Sequence, residues 1–189
     1  EPVTYGEFFV AKKRGLGNIT GSIVLNNFSQ LKSDWESLKQ TAYVFRTLEK
    51  LIPEKGKEEG TFNLLLEYLT AVDMINQGKT EAKNEILTLG TLFKILKDLG
   101  YQLEVMKCVA CKKRLKAERN YFSPSRGGVL CSKCSLRESA KIRLENDSIK
   151  LIRIFFKNNI DNFNKLSCTQ EIQANLWIIM NKFLLWTVQ

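Results

Sequence analysis

The sequence predicts a mainly α protein: a helical bundle with an inserted four-cysteine metal module, preceded by a β-hairpin. Three observations carry this. Apolar residues recur at steps of three and four from Leu31 to Leu96 and again beyond Leu136, the period of helices that share a core. Four cysteines form two Cys-x-x-Cys pairs, Cys108 with Cys111 and Cys131 with Cys134, between those helical stretches. Residues 1–27 carry two β-prone runs around a glycine-containing turn.

The first run holds Val3, Tyr5, Phe8, Phe9 and Val10, and the second spans Ile19 to Leu25. Gly15-Leu16-Gly17-Asn18 between them supplies residues that tolerate positive φ, so the segment reads as a hairpin. A lone hairpin is marginal in water and is expected to pack on the chain or to belong to a larger sheet. From Ser29 a helical stripe follows: Leu31, Trp35, Leu38, Ala42, Phe45, Leu48 and Ile52. Ser33 with Glu36 has capping-box spacing, and Pro53 and Gly56 end the helix. A second helix is expected from about Thr61 to Gln77, with Phe62, Leu65, Leu66, Leu69 and Val72 inward and a stop at Gly78. A third runs from Thr80 to Leu99, with Ile86, Leu89, Phe93 and Leu96 inward and Gly100 as its C-terminal cap. The cysteine module occupies roughly Tyr101 to Ser135. Helical character returns at Leu136 to Asn158 and from Ser167 to about Val188, where Ser167 and Gln170 again fit a capping box. Leu176, Trp177, Ile178, Ile179, Met180, Phe183, Leu184 and Trp186 cover nearly the whole circumference of the last helix, which is therefore expected to be central.

A chain of 189 residues, 44% hydrophobic and 26% charged, supports an ordinary soluble core. No apolar run reaches the roughly 18–20 residues needed to span a bilayer; Leu176 to Trp186 is interrupted by Asn181 and Lys182. Glu1 to Thr4 show no secretory signal, and the lack of an initiator methionine suits a start inside a larger protein. Lys and Arg number 29 against 20 Asp and Glu, a net charge of +9 with pI near 9.3. That excess favours an anionic partner such as nucleic acid, unless it is background solvation.

Two residues between paired cysteines let both thiolates turn inward on one knuckle. Two facing knuckles offer the tetrahedral sulfur set that zinc prefers, although spacing alone does not separate zinc from iron. Four cysteine ligands leave no open coordination position, so one structural Zn2+ is expected. Cysteines in metal spacing also point to a reducing compartment. Cys168 reads as a buried, inert thiol.

Catalysis is not expected. Histidine is absent, which removes the commonest general base. No phosphate-binding Gly-x-x-x-x-Gly-Lys-Ser/Thr loop exists, and Gly15 and Gly17 are a lone Gly-x-Gly in a turn. Asp34, Asp73, Asp98, Asp147 and Asp161 are scattered and read as surface residues. Basic residues do cluster. Lys112, Lys113, Arg114, Lys116 and Arg119 lie between the cysteine pairs, with Tyr121, Phe122 and Arg126 just beyond. A metal-braced cationic loop can contact phosphates, with the aromatics packed on the metal core as the plainer reading. Arg143, Lys150, Arg153 and Lys157 would share one face of the fourth helix. Lys12, Lys13 and Arg14 form a third cluster at the hairpin tip.

The text YFSPSRGGVLCSKC at Tyr121 to Cys134, with CVAC at Cys108 to Cys111 and a preceding helix ending KDLGY, resembles the bacterial RecO family of recombination mediators. The matching positions are Leu99, Gly100, Tyr101, Cys108, Cys111, Phe122, Ser123, Gly127, Gly128, Leu130, Cys131 and Cys134. The resemblance covers most of the chain. It implies an N-terminal OB-fold, of which residues 1–27 would be the last strands, followed by a helical domain at 28–189 with the zinc module at about 101–135. It implies a cytoplasmic, nucleoid-associated protein without catalytic turnover. Such a protein binds single- and double-stranded DNA, anneals strands and helps RecA replace single-strand binding protein, usually with RecR. The basic clusters would then contact DNA, and an apolar, basic-rimmed groove of the bundle would take the acidic tail of single-strand binding protein. No membrane or small-molecule substrate is implied. The alternatives are a zinc-braced protein-interaction module without direct nucleic-acid binding, and an oxidoreductase pair at Cys108 and Cys111.

Overall fold

The computed structural model describes residues 1–12, 17–53, 56–78 and 84–187. Strands β1 (Tyr5–Ala11) and β2 (Asn18–Asn26) pair as an antiparallel hairpin. Helices α1 (Ser29–Ser33), α2 (Trp35–Leu51), α3 (Glu59–Gln77) and α4 (Asn84–Asp98) follow. A second antiparallel sheet then interrupts the helices, built from β3 (Asn120–Ser123), β4 (Gly128–Leu130) and β5 (Ile142–Leu144) with β3 in the middle. Helices α5 (Asn146–Lys157) and α6 (Gln170–Thr187) close the chain, separated by a 3-10 segment at Ile160–Lys165. The architecture is mainly helical with two small sheets.

Helix α4 is the centre of the bundle. Ile86, Leu87, Leu89, Leu92, Phe93, Ile95 and Leu96 are all buried, and so are Thr88 and Thr91. The helix packs against α2, α3, α5, α6 and the 3-10 segment. Gly90 makes the tightest approach there: a Cβ at that position would meet the Phe163 and Phe155 rings at 2.5 and 2.8 Å. The C-terminal cap expected at Gly100 is present, with φ +87°. Gly100 N–H donates to the Lys97 carbonyl (3.0 Å) and Tyr101 N–H to that of Leu96 (2.7 Å), which closes a Schellman motif.

The expectation that α6 is the central helix is corrected. Its Leu176, Ile179, Met180 and Phe183 are buried, but Ile178, Leu185 and Trp186 are exposed. An all-round apolar sequence cannot say which faces find a neighbour, and α6 is covered on one side only. The stripe expected on α2 is also rotated. Trp35 is 71% exposed, Ala42 is exposed, and the buried face is Ser37, Gln40, Thr41, Val44, Thr47 and Leu48. Two of these polar residues bond across the core: Ser37 Oγ accepts from Asn76 Nδ2 (3.0 Å) and Asn84 Nδ2 (2.8 Å), and Gln40 Oε1 accepts from Thr88 Oγ1 (2.8 Å), which lies 3.1 Å from Tyr68 Oη. The N-cap of α2 is Asp34 rather than Ser33, its carboxylate accepting from Ser37 N–H and Oγ at 2.8 and 2.7 Å. On α3, Leu69 and Val72 are buried as expected, while Phe62 turns outward and meets the Tyr5 ring at 6.0 Å.

Two further corrections concern the chain after the cysteines. The fourth helix starts at Asn146, not Leu136, because Ile142–Leu144 complete the sheet by pairing with Asn120–Phe122. Arg143 therefore lies on β5, away from Lys150, Arg153 and Lys157. At α6, Thr169 Oγ1 accepts from Ile172 N–H (3.4 Å), so Thr169 and not Ser167 supports that helix start. The β1–β2 hairpin forms as expected but presents apolar residues on both faces: the successive residues Phe8 and Phe9 are 64% and 50% exposed. Of the turn assigned to Gly15-Leu16-Gly17-Asn18, Gly15 and Leu16 lie outside the described residues.

Candidate metal centre and basic surface

The first knuckle is a tight hairpin. Cys108 N–H donates to the Lys113 carbonyl and Lys112 N–H to the Cys108 carbonyl, both at 2.8 Å. Lys112 closes it in the left-handed region, φ +61°. This knuckle rides on β4: Val109 N–H donates to Val129 O (2.9 Å), and Glu104 pairs with Gly127 O (3.0 Å) and Val129 N–H (2.9 Å). The two glycines at the turn have separate reasons. Gly127 has φ +61° as the residue that ends a 3-10 turn, whereas a Cβ on Gly128 would strike Val109 and stand 2.9 Å from the Glu104 carbonyl oxygen. The second knuckle is closed by Ser135 N–H to Cys131 O (3.0 Å) and passes into a 3-10 turn at Cys134–Arg137.

These elements bring Cys108, Cys111, Cys131 and Cys134 together, with all four Sγ atoms within 4.8 Å of one another and Cys111 and Cys131 at 4.0 Å. In a tetrahedral tetrathiolate site, sulfurs at ~2.3 Å from the metal stand ~3.8 Å apart, so the set could hold a metal ion. Cys108 is buried, which by itself would raise its pKa, but backbone N–H groups of Cys111, Cys131 and Ala110 outweigh burial and bring it down to about 6. The Cys134 thiol is pushed up to about 12, first by its contacts with the Cys131 and Cys111 sulfurs. One thiolate thus forms readily and opposes the next, a conflict that a divalent cation at the centre would resolve.

The charge of the chain is concentrated on this module. Eleven of the 29 Lys and Arg and three of the 20 Asp and Glu fall within residues 101–144, so that segment carries +8 and all other residues together +1. Lys112, Lys113, Arg114, Lys116 and Arg119 are exposed and make no ion pair among the described residues. The other expected contacts divide. Arg126 pairs with Glu138 (3.0 Å), Arg143 with Glu145 (3.0 Å) and Lys150 with Asp147 (2.8 Å). Arg153 is turned inward to a structural task, its Nε and Nη2 donating to the Val105 carbonyl at 3.0 and 2.6 Å, which ties α5 to the module. Lys12 and Lys157 are exposed, while Lys13 and Arg14 lie outside the described residues. Phe122 is buried against Phe183 (6.1 Å, edge-on), and Tyr121 sits beneath Lys141 Nζ at 5.4 Å. Lys133, Arg137 and Lys141 escaped the sequence reading, although their closeness to Cys131 and Cys134 was the available signal.

A second concavity, of about 600 Å3, lies between α2 and α6. Tyr43, Leu184 and Leu185 give it apolar surface, and Arg46 and Lys50 are its cations. Tyr43 Oη donates to Asn181 Oδ1 (2.7 Å), and its ring meets Trp177 edge-on at 5.3 Å.

Fold and site together define a helical domain braced by an embedded four-cysteine module. Residues 32–189 match the family described as Recombination protein O C terminal, and the chain belongs to that family. The DNA repair protein RecO of Dehalococcoides mccartyi (strain 195) is 28% identical over 172 residues, covering 91% of this chain and 65% of that protein. That of Clostridium perfringens (strain SM101) is 28% identical over 177 residues, 93% of this chain and 75% of the relative. That of Caldicellulosiruptor bescii is 24% identical over 189 residues, 100% of this chain and 74% of the relative. The chain thus spans about two thirds to three quarters of these proteins. A role in DNA repair and recombination follows from the family. Among the described residues, no helix is long and apolar enough to cross a membrane.

Proposed function

We propose that this chain is the zinc-braced, DNA-binding part of a non-catalytic recombination mediator. The observation that carries the reading is the placement of nearly all the excess positive charge on the four-cysteine module of a chain in this family. One Zn2+ held by Cys108, Cys111, Cys131 and Cys134 would supply a cross-link and no reactive position. The chain's own residues do the rest: Gly128 lets the first knuckle seat on β4, and Arg153 fastens the module to the bundle. Lys112, Lys113, Arg114, Lys116 and Arg119 are thereby held out to phosphates of single- or double-stranded DNA, which suits strand annealing. In the same reading residues 1–27 are the last strands of an OB-fold, consistent with the apolar faces of the hairpin. The α2–α6 groove, apolar with Arg46 and Lys50, suits the acidic tail of single-strand binding protein, and RecA loading would proceed with RecR.

Phosphate contacts release counterions, so DNA affinity should fall steeply between low and moderate salt. Charge reversal at Lys112, Lys113 and Arg114 should weaken it and flatten the salt slope. An affinity that ignores both salt and those substitutions would favour the second reading, a protein-interaction module acting through the α2–α6 groove. Zinc is tested by metal analysis, with one ion per chain expected and iron or no metal overturning the assignment.

A further inference from the structure

Beside the metal cluster lies a cleft of about 480 Å3 between the two knuckles. The first knuckle contributes Ala110 and Cys111, the second Lys133, Cys134 and Arg137, and Arg126 faces them from the turn before β4. Glu138, its acidic residue, is already engaged: its carboxylate accepts from Arg126 Nε (3.0 Å) and Ser123 Oγ (3.2 Å). Lys133 and Arg137 are exposed and make no ion pair among the described residues. Between them in sequence stands Leu136, 81% exposed, more than any other large apolar side chain described. Leu136 belongs to the 3-10 turn Cys134–Arg137, whose Cys134 and Arg137 line the cleft and whose N-cap is Lys133, so it stands at the rim of the cleft rather than inside it. The turn is rigidly built, with Ser135 Oγ donating to Ser132 O (2.8 Å) and Lys141 Nζ to Ser135 O (2.6 Å).

Two cations near the sulfurs would offset the charge of a metal bound by four thiolates, but such compensation leaves Leu136 without a purpose. An acidic peptide fits the apolar α2–α6 groove better than a cleft inside a segment of net charge +8, which is a surface on the scale of a polyanion. We propose that Lys133, Arg137 and Arg126 grip consecutive phosphates of a nucleic-acid strand while Leu136 covers the face of an exposed base. The knuckle then selects the junction of duplex and single strand. Inside a duplex an apolar wedge must first unstack a base step, whereas a junction presents a free base face beside a fixed backbone. The inference rests on the DNA-binding reading above and adds the site and the class of DNA structure.

The test measures anisotropy of the full chain on forked, duplex and single-stranded oligonucleotides across salt, with 2-aminopurine at the fork junction. K133Q/R137Q should lower the slope of log affinity against log salt by about 2 and weaken binding roughly 50-fold at 0.1 M salt. Leu136→Ala should leave the slope unchanged, remove a preference for the fork of roughly fivefold, and abolish the 2-aminopurine signal. Bound zinc is measured for each variant. If K133Q/R137Q loses the metal, Leu136→Ala decides, because that side chain has little buried area to lose. Variants that match the parent on forked DNA, in a chain whose binding still responds to Lys112, Lys113 and Arg114, overturn the knuckle site and leave the DNA-binding reading standing. A parent chain that binds no DNA at low salt overturns both.

Discussion

Gly128→Ala tests whether the knuckles are held by close backbone approach. The added Cβ would stand 2.9 Å from both the carbonyl oxygen and the Cβ of Glu104 and closer still to Val109. Ordinary contact begins near 3.4 Å, so backbone and not a flexible side-chain end has to yield by about half an ångström. Overpacking of this kind costs about 1–3 kcal/mol. The same shift strains the Val109–Val129 and Glu104–Val129 hydrogen bonds, each worth about 1 kcal/mol. A total near 3 kcal/mol is expected. The strained contact lies between the two halves that the four sulfurs join, and without metal the first knuckle can lift to relieve it. With the proposed zinc as ligand, the cost should therefore emerge as lost metal affinity, roughly 100-fold at about 1.4 kcal/mol per decade. Competition against a chromophoric chelator measures it. Gly100→Ala is the control: with φ +87° it is strained at the end of α4, but its Cβ meets nothing within 4 Å, so stability should fall about 1 kcal/mol with zinc affinity unchanged. A Gly128→Ala chain that holds zinc within about threefold of the parent would refute the reasoning.

Lys112→Gly relieves a left-handed lysine and should raise stability by about 0.5–1 kcal/mol, a gain of roughly 2–3 °C in thermal melting of the zinc-loaded chain; a fall would mean Lys112 makes a contact beyond its backbone. Arg153→Met keeps the aliphatic stem but deletes both bonds to Val105 O, leaving that carbonyl short of a donor; a loss of about 2 kcal/mol is expected, with amide exchange accelerated around Val105. Asp34→Ala removes the α2 cap and should cost about 1 kcal/mol in urea unfolding at pH 7. The bonds from Ser37 Oγ and N–H hold the Asp34 carboxyl below its ordinary 3.8, so its contribution is present above that value and fades as pH falls through the lowered one. The mutant and parent curves should converge in acid, and a gap that stays constant to pH 3 would contradict the capping role.

Local signals were read well where the determining contacts are local. The Schellman turn at Gly100 needs only a helix end and a residue that accepts positive φ. The α3 stop at Gly78 was also read locally, although that glycine keeps right-handed angles, φ −77°. The stripe on α2 held only in part, with Leu48 buried, Leu38, Phe45 and Ile52 half-buried and Trp35 and Ala42 exposed, because much of the buried face is polar. Ser37 and Gln40 face inward as Asn76 of α3 and Asn84 and Thr88 of α4 come to them, and no pattern within α2 reports those partners. Strand β5 was read as helix for a similar reason: three residues become a strand only when β3 lies beside them. Charge shows the same division. The count of basic residues is in the sequence, but Arg126, Arg143 and Lys150 are paired, Arg153 is half-buried and engaged in a structural bond, and Lys133 and Arg137 stand free of ion pairs among the described residues.

The sequence by itself determined which four cysteines come together and the family. Cys-x-x-Cys spacing and the Gly127-Gly128 turn are properties of a few consecutive residues, and backbone geometry leaves them few alternatives. Only the tertiary structure decided that α4 and not α6 is the central helix, that Arg153 fastens the module, and that Lys133, Leu136 and Arg137 share one turn beside the sulfurs. The physical reason is that burial and charge pairing depend on what arrives from elsewhere in the chain. A periodic pattern states which residues share a face, but only packing states what covers it.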